Sequence, residues 1–245
     1  MVKLTHKFSR INRLNSQIFI SLILLLAVIL YLYKLDYRGL WIDELISTAD
    51  AQKLGFNRGR LLYYILLRGW MWFGTSDAWL RSLAVIFALG SIFLTYKLGC
   101  YLFNKSTGLI AALMLTLSPL FINHAQEVRY YTMSVCLGLA GTLALAYALE
   151  NPTKLSFRLW WVGMRWLAII TTPLNGALLF PDFLLVILKF RQQRSRLLAF
   201  GIGFLLIVIL CMDTSLFSTF YSLSLVSCLW LSAIHRIFSE AILFL

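Results

Sequence analysis

"SQIFISLILLLAVILYLYKL" (residues 16–35) decides the class of this protein. Sixteen of its residues carry no hydrogen-bonding or charged side chain other than tyrosine, and the run is long enough to cross a hydrocarbon core as a helix at 1.5 Å per residue. Before it stand Lys3, Lys7, Arg10 and Arg13, with no acid. That basic start resembles a signal peptide, but no small-residue cleavage site follows the apolar stretch, so the expectation is an uncleaved first helix. The rest of the 245 residues agrees. The chain is 60% hydrophobic and 13% charged, and its mean hydropathy is +0.81. Soluble domains carry about a quarter charged residues, so a polytopic membrane protein is expected rather than a soluble one.

Further apolar runs cover 78–98, 107–122, 131–149, 158–172, 177–190, 197–212 and 214–234. The sum is an all-α membrane bundle of about eight spans, in which the two short runs flanking "TTPLNG" (171–176) form a tight hairpin. The net charge of +12 comes from short basic clusters between apolar runs. That distribution reads as topology determinants rather than as a nucleic-acid surface. With the N-terminus cytoplasmic, "KFRQQRSR" (189–196), Lys97, Lys105, Lys154 and Arg158 all fall inside. The acids Asp36, Asp43, Glu44 and Asp50 then fall outside. Within the first outer segment, "RGRLLYYILLRGWMWFG" (58–74) is too short and too charged to cross, and it suits an interfacial helix with snorkelling arginines. Three parts follow: a basic cytoplasmic N-terminus (1–16), a transmembrane module (17–212) and a hydrophobic C-terminal tail (213–245).

The chain crosses twice between "LWIDE" (40–44) and "NHAQEVRYY" (123–131). Both stretches therefore belong on one non-cytoplasmic face. Together they bring Asp43, Glu44, His124, Gln126, Glu127, Arg129, Tyr130 and Tyr131. A carboxylate there can take a proton from a polar acceptor, and an arginine can meet a phosphate. Plainer readings stand beside this one. Asp43 and Glu44 equally suit the first turn of an interfacial helix, and the second stretch equally suits a solvated turn with an aromatic belt. The cysteines Cys100, Cys136, Cys211 and Cys228 read as small buried hydrophobes. The histidines His6, His124 and His235 have no metal-ligand spacing. Arg165, among three tryptophans, reads as an inner-interface anchor. Asp182 reads either as an intramembrane functional acid or as part of a Pro-Asp break that caps the next helix.

The order "LWIDE", "LLYYILLRGWMWFG", "SDAWLRSLAVIFALGSIFLTYKLG" and "HAQEVRYYTM" resembles the membrane glycosyltransferases of GT-C type, with glycosyltransferase family 39 the nearest in pattern over roughly residues 15–200. That family includes protein O-mannosyltransferases and the aminoarabinose transferase of lipid A. The resemblance implies a polyprenyl-phosphate sugar donor, membrane lipid around the site and inverting transfer on the outer face. It implies no cofactor or metal. It assigns Asp43 as catalytic base with Glu44 as motif partner. It places Glu127, Arg129 and Tyr130, with His124 and Gln126 beside them, near donor phosphate or acceptor. "FNRGRLLYY" lacks the family's His-Pro-Pro-like element, and "TTPLNG" stands where many members carry a histidine. Members also continue beyond the length at which this chain ends, so a truncated amino-terminal module is the expectation. The rival reading is a non-enzymatic lipid-binding module or transporter. A transporter calls for repeated broken helices, and only Pro119, Pro173, Pro181 and Asp182 hint at breaks.

Overall fold

A computed structural model describes residues 2–53 and 60–213, with side chains over 16–53 and 60–211. Every regular element among them is helical. The first half comprises α1 (Val2–Leu32), α2 (Ile42–Lys53), α3 (Leu61–Met71), α4 (Asp77–Leu102) and α5 (Lys105–Leu117). Then follow α6 (Pro119–Ala125), α7 (Tyr131–Glu150), α8 (Leu155–Thr171), α9 (Leu179–Phe190) and α10 (Arg194–Asp213). A short 3-10 segment, Pro173–Leu178, joins α8 to α9.

Four helical segments are long and apolar enough to cross a membrane: α4, α7, the 3-10 segment with α9, and α10. The pair α5–α6 makes a fifth if its 66° bend is taken as one broken span. The expected count of about eight is therefore not reached by the described residues. The apolar part of α1 with described side chains, Ser16–Leu32, is just short of a full span. Arg158 and Arg165 interrupt α8. The run at 214–234 lies outside the described residues, as do His235, Cys228 and Arg58, and the His6 side chain lies outside the described side chains.

Local sequence sets the boundaries. Ser76 caps α4 by accepting from Trp79 N, and Asp77 in the first turn complements the helix dipole. Asn104 caps α5 through Thr107 N at 2.8 Å. Ser118 ends α5 and caps α6, where Pro119 takes the first-turn position that needs no N–H donor. The α4–α5 turn is tight because Gly99 and Gly108 face each other. A Cβ on Gly99 would lie 2.6 Å from the Gly108 Cα, so only the absence of side chains lets these helices touch there.

Apolar packing divides into three clusters. One joins α1, α4 and α5 around Tyr31, Ala88, Ile92 and Ala112. A second joins α7 to α10 around Trp161, Phe190, Phe200 and Ile207. A third ties α2 and α3 to α4 and α7 through Tyr63, Leu67, Leu80, Leu83, Val128 and Met133. The outward residues of α1 (Ile18, Leu22, Leu25, Ile29, Leu32) are exposed at three- to four-residue spacing, the stripe of a helix that meets an apolar surround.

The hairpin at "TTPLNG" is present. Arg165 Nε lies 2.6 Å from Asp182 Oδ2, whereas a continuous helix would hold residues seventeen apart about 25 Å from each other. The chain therefore folds back. Asn175 fastens the turn, donating to Ala168 O at 2.7 Å and accepting from Ser134 Oγ on α7. The reading of Arg165 as an interface anchor is corrected by this geometry. Its side chain is 1% exposed and spans three helices: it donates to both Asp182 oxygens, to Gly138 O and to Thr142 Oγ1. Asp182 also accepts from Trp161 Nε1 at 2.8 Å. Its carboxylate is thus consumed by an internal ion pair and is not offered to a cavity. Gly141 makes room, since a Cβ there would lie 2.8 Å from an Arg165 Nη.

Candidate functional site

The two stretches expected on one face do meet. α2 begins with Asp43 and Glu44 in its first turn, where the exposed backbone N–H groups favour negative charge. Successive residues of a helix point 100° apart, so the two carboxylates have opposite fates. Glu44 is fully buried. Its Oε2 accepts from Trp41 N at 3.2 Å, the backward reach of a capping acid. Its Oε1 accepts from Val128 N at 2.8 Å, which joins α2 to the second stretch. Both oxygens accept from Arg81, at 3.0 and 2.8 Å. Four donors fill the four lone-pair positions of a carboxylate.

Arg81 is the residue that sequence reading missed. All five of its N–H donors are used. Besides Glu44 they reach Leu35 O, Arg38 O and Gly39 O, at 2.8, 2.7 and 3.2 Å. Arg81 thereby holds the whole connection between α1 and α2 against α4. The available signal was an arginine within the first turns of an apolar run, and snorkelling explained it equally well.

Asp43 points elsewhere. Its side chain is 42% exposed, and its Oδ2 lies 3.6 Å from Arg129 Nη2. Arg129 also donates to Asp43 O at 3.2 Å and to Tyr131 Oη at 3.3 Å. Burial works against the Arg129 charge, but Tyr131, Asp43 and Tyr130 outweigh it and raise its pKa. Its guanidinium lies over the rings of Tyr130 and Tyr131, within cation–π range. Arg60 approaches Tyr130 from α3, 4.2 Å above the ring centroid, and donates to its hydroxyl at 3.3 Å. Two arginines, two tyrosines and one accessible carboxylate thus converge.

Two polar atoms in this group have no hydrogen-bond partner among the described residues: Tyr63 Oη and Arg129 Nε. Both side chains are more than nine-tenths buried. Burial first, then Tyr64, pushes the Tyr63 pKa upward, so its hydroxyl stays a neutral donor.

The remaining expected residues divide. Gln126 Nε2 faces Leu30 O, Tyr31 O and Tyr33 O at 3.1–3.3 Å. It caps the C-terminus of α1, where Lys34 turns to a positive φ of 52°. His124 stacks near Tyr131 with centroids 4.5 Å apart, and its Nδ1 lies 3.5 Å from Glu127 Oε2. That contact lacks hydrogen-bond geometry. Glu127 and His124 border the cluster at the side of Tyr131. Among the described residues no group of three or more His, Cys, Asp or Glu side chains is arranged to hold a metal ion.

No family model matches the chain, and no solved structure matches it. A protein of Aquifex aeolicus (strain VF5), described as uncharacterized, is similar, with 28% identity over 177 residues. The alignment covers 64% of this chain and 35% of that protein, so this chain spans about a third of its relative's length.

Proposed function

We propose that this chain is a membrane glycosyltransferase module of GT-C type. It moves a sugar from a polyprenyl-phosphate donor to an acceptor on the non-cytoplasmic face, with the N-terminus in the cytoplasm and Asp43 as general base. The observation that carries the reading is the division of labour at "DE". Glu44 is locked by four donors, while Asp43 beside it keeps an accessible carboxylate 3.6 Å from Arg129.

The chemistry follows from those groups. The acceptor hydroxyl loses its proton to an Asp43 oxygen. Its oxygen then bonds to the anomeric carbon as the bond from that carbon to the phosphate oxygen breaks. The electron pair and the developing charge leave with the polyprenyl phosphate. Arg129 and Arg60 supply fixed donors where that charge appears. Arg129 Nε and Tyr63 Oη, unpartnered among the described residues, are buried donors available to a bound anion or sugar hydroxyl. Glu44 and Arg81 serve as positioning residues that aim Asp43. Glu127, His124 and Tyr131 border the acceptor side, and Gln126 holds this wall against α1.

The test is sugar release from a lipid-linked donor pool in membranes carrying the wild-type chain or Asp43→Asn at equal expression. Donor consumption by the wild type alone supports the assignment. Full consumption by Asp43→Asn removes it. Binding of polyprenyl phosphate without consumption of any donor favours the rival, a non-enzymatic lipid-binding module.

A further inference from the structure

Helix α2 is inside-out. Its buried residues are Glu44, Ser47, Thr48 and Ala51, and three of those four are polar. Its outward residues are apolar: Ile42 is 73% exposed, Leu45 52% and Ile46 49%, and Trp41 just before the helix is 50% exposed. At 100° per residue the buried set centres opposite the apolar ridge. Asp43 and Asp50, seven residues apart, share a flank between the two. A helix packed on a protein against water shows the reverse pattern. The buried polar groups are provided for internally: Ser47 Oγ donates to Asp43 O, Thr48 Oγ1 donates to Leu45 O, and Arg81 neutralises Glu44. Nothing in α2 therefore requires water on its outer side.

From this we infer that α2 lies along the bilayer surface with its Trp41–Ile42–Leu45–Ile46 ridge in the boundary between lipid headgroups and acyl chains. The Asp43–Asp50 flank stays at headgroup level. The occupant of the ridge is lipid. Exposed aromatic side chains mark the same end of the bundle: Tyr37 just before α2, and Trp72 and Phe73 just before α4. Arg81 near the start of α4 binds the chain that leads into α2, so these belong to one level. Aromatic residues collect at that depth. Exposed Lys34, Arg38 and Lys53 flank α2 in the chain and complement anionic headgroups. A second copy of the chain fits less well. Four half-exposed large side chains offer roughly 400 Å2, at ~150–250 Å2 for a fully buried large one. A stable protein interface needs about 800 Å2 from each partner.

The placement concerns the membrane surface and does not depend on glycosyl transfer. The test uses the full chain, with its native cysteines replaced, in vesicles of phosphatidylcholine and phosphatidylglycerol. Nitroxide labels go singly at positions 42, 45, 46, 49 and 50. The expected result is collision with oxygen several-fold above collision with a water-soluble nickel chelate at 42, 45, 46 and 49, and the reverse at 50. Two results overturn the inference. Chelate access at 45 and 46 equal to that at 50 puts the ridge in water. Loss of both quenchers at 45 and 46, with spin–spin broadening, puts a second copy on it. Because five positions are read, one label that disturbs folding leaves the periodicity measurable.

Discussion

Replacing Arg81 by methionine separates the fold from the chemistry. Methionine keeps most of the length and apolar stem of the side chain. It removes the ion pair with Glu44 and the three bonds to Leu35 O, Arg38 O and Gly39 O. Glu44 then stays buried with two backbone donors, Trp41 N and Val128 N. Breaking a buried pair from one side costs roughly 3–5 kcal/mol. The loop carbonyls turn partly to water and add less than the ~0.5–1.5 kcal/mol typical of one buried bond each. For a chain of 150–250 residues, 1 kcal/mol moves Tm by about 2–4 °C. Arg81→Met is therefore expected to melt on the order of 10 °C below wild type. Asp43→Asn, whose carboxylate is exposed and 3.6 Å from its partner, loses at most ~1 kcal/mol. The assay is thermal unfolding of the purified chain in one detergent, followed by circular dichroism and by reactivity of the half-buried Cys136. In the double variant Arg81→Met/Glu44→Leu, the cost is expected to fall well below the sum of the singles. If Arg81→Met melts within ~2 °C of wild type, the proposed anchoring of Asp43 through Glu44 is wrong.

Tyr63→Phe deletes a buried hydroxyl that lacks a partner among the described residues, so Tm is expected to hold or to rise slightly. Donor consumption falls if that hydroxyl meets the donor, and unchanged turnover removes Tyr63 from the site. Asp182→Leu strands Arg165 among α7, α8 and α9 at roughly 3–5 kcal/mol, whereas Arg165→Met/Asp182→Leu regains most of that loss; melting of the three variants decides it. Gly99→Ala forces α4 from α5 and costs about 1–3 kcal/mol. Gly163→Ala, with nothing within 4 Å of the added carbon, is the neutral control in the same melt. Gln126→Ala frees three carbonyls at the end of α1, which is read as faster hydrogen exchange across 30–37.

Much of this arrangement is legible in the sequence because its cause is local. The long apolar helices α4 and α7 follow from apolar length alone. The meeting of "LWIDE" with "NHAQEVRYY" follows from counting crossings between them. The fates of Asp43 and Glu44 were not legible, since adjacent acids look alike until a helix turns them apart and Arg81 chooses one. Arg81 and Arg165 share a further ambiguity. An arginine in an apolar run reads as a snorkelling anchor until its partner is known. The partner of Arg81 stands 37 residues before it and that of Arg165 seventeen after. The span count is not reached among the described residues for a related reason. Apolar content marks what can be buried, but it does not say whether a run of 15 residues crosses, as against folding back at Pro173 or bending at Ser118.

The wiring of Glu44 also dictates an order of assembly as the chain is made. Its arginine partner is synthesised 37 residues later and its backbone partner on Val128 84 residues later. At about 5–20 residues per second, the carboxylate waits on the order of 2–7 s for the first and 4–17 s for the second. Over that interval the Glu44 carboxylate has no charged partner, while the apolar ridge is already able to rest on lipid. The nascent helix is therefore held at the bilayer surface by its outer side, and it acquires its inner side in steps, as α3, then Arg81 on α4, then the turn before α7 arrive. Asp43 is last to be placed, because Arg129 follows Val128 out of the ribosome by one residue.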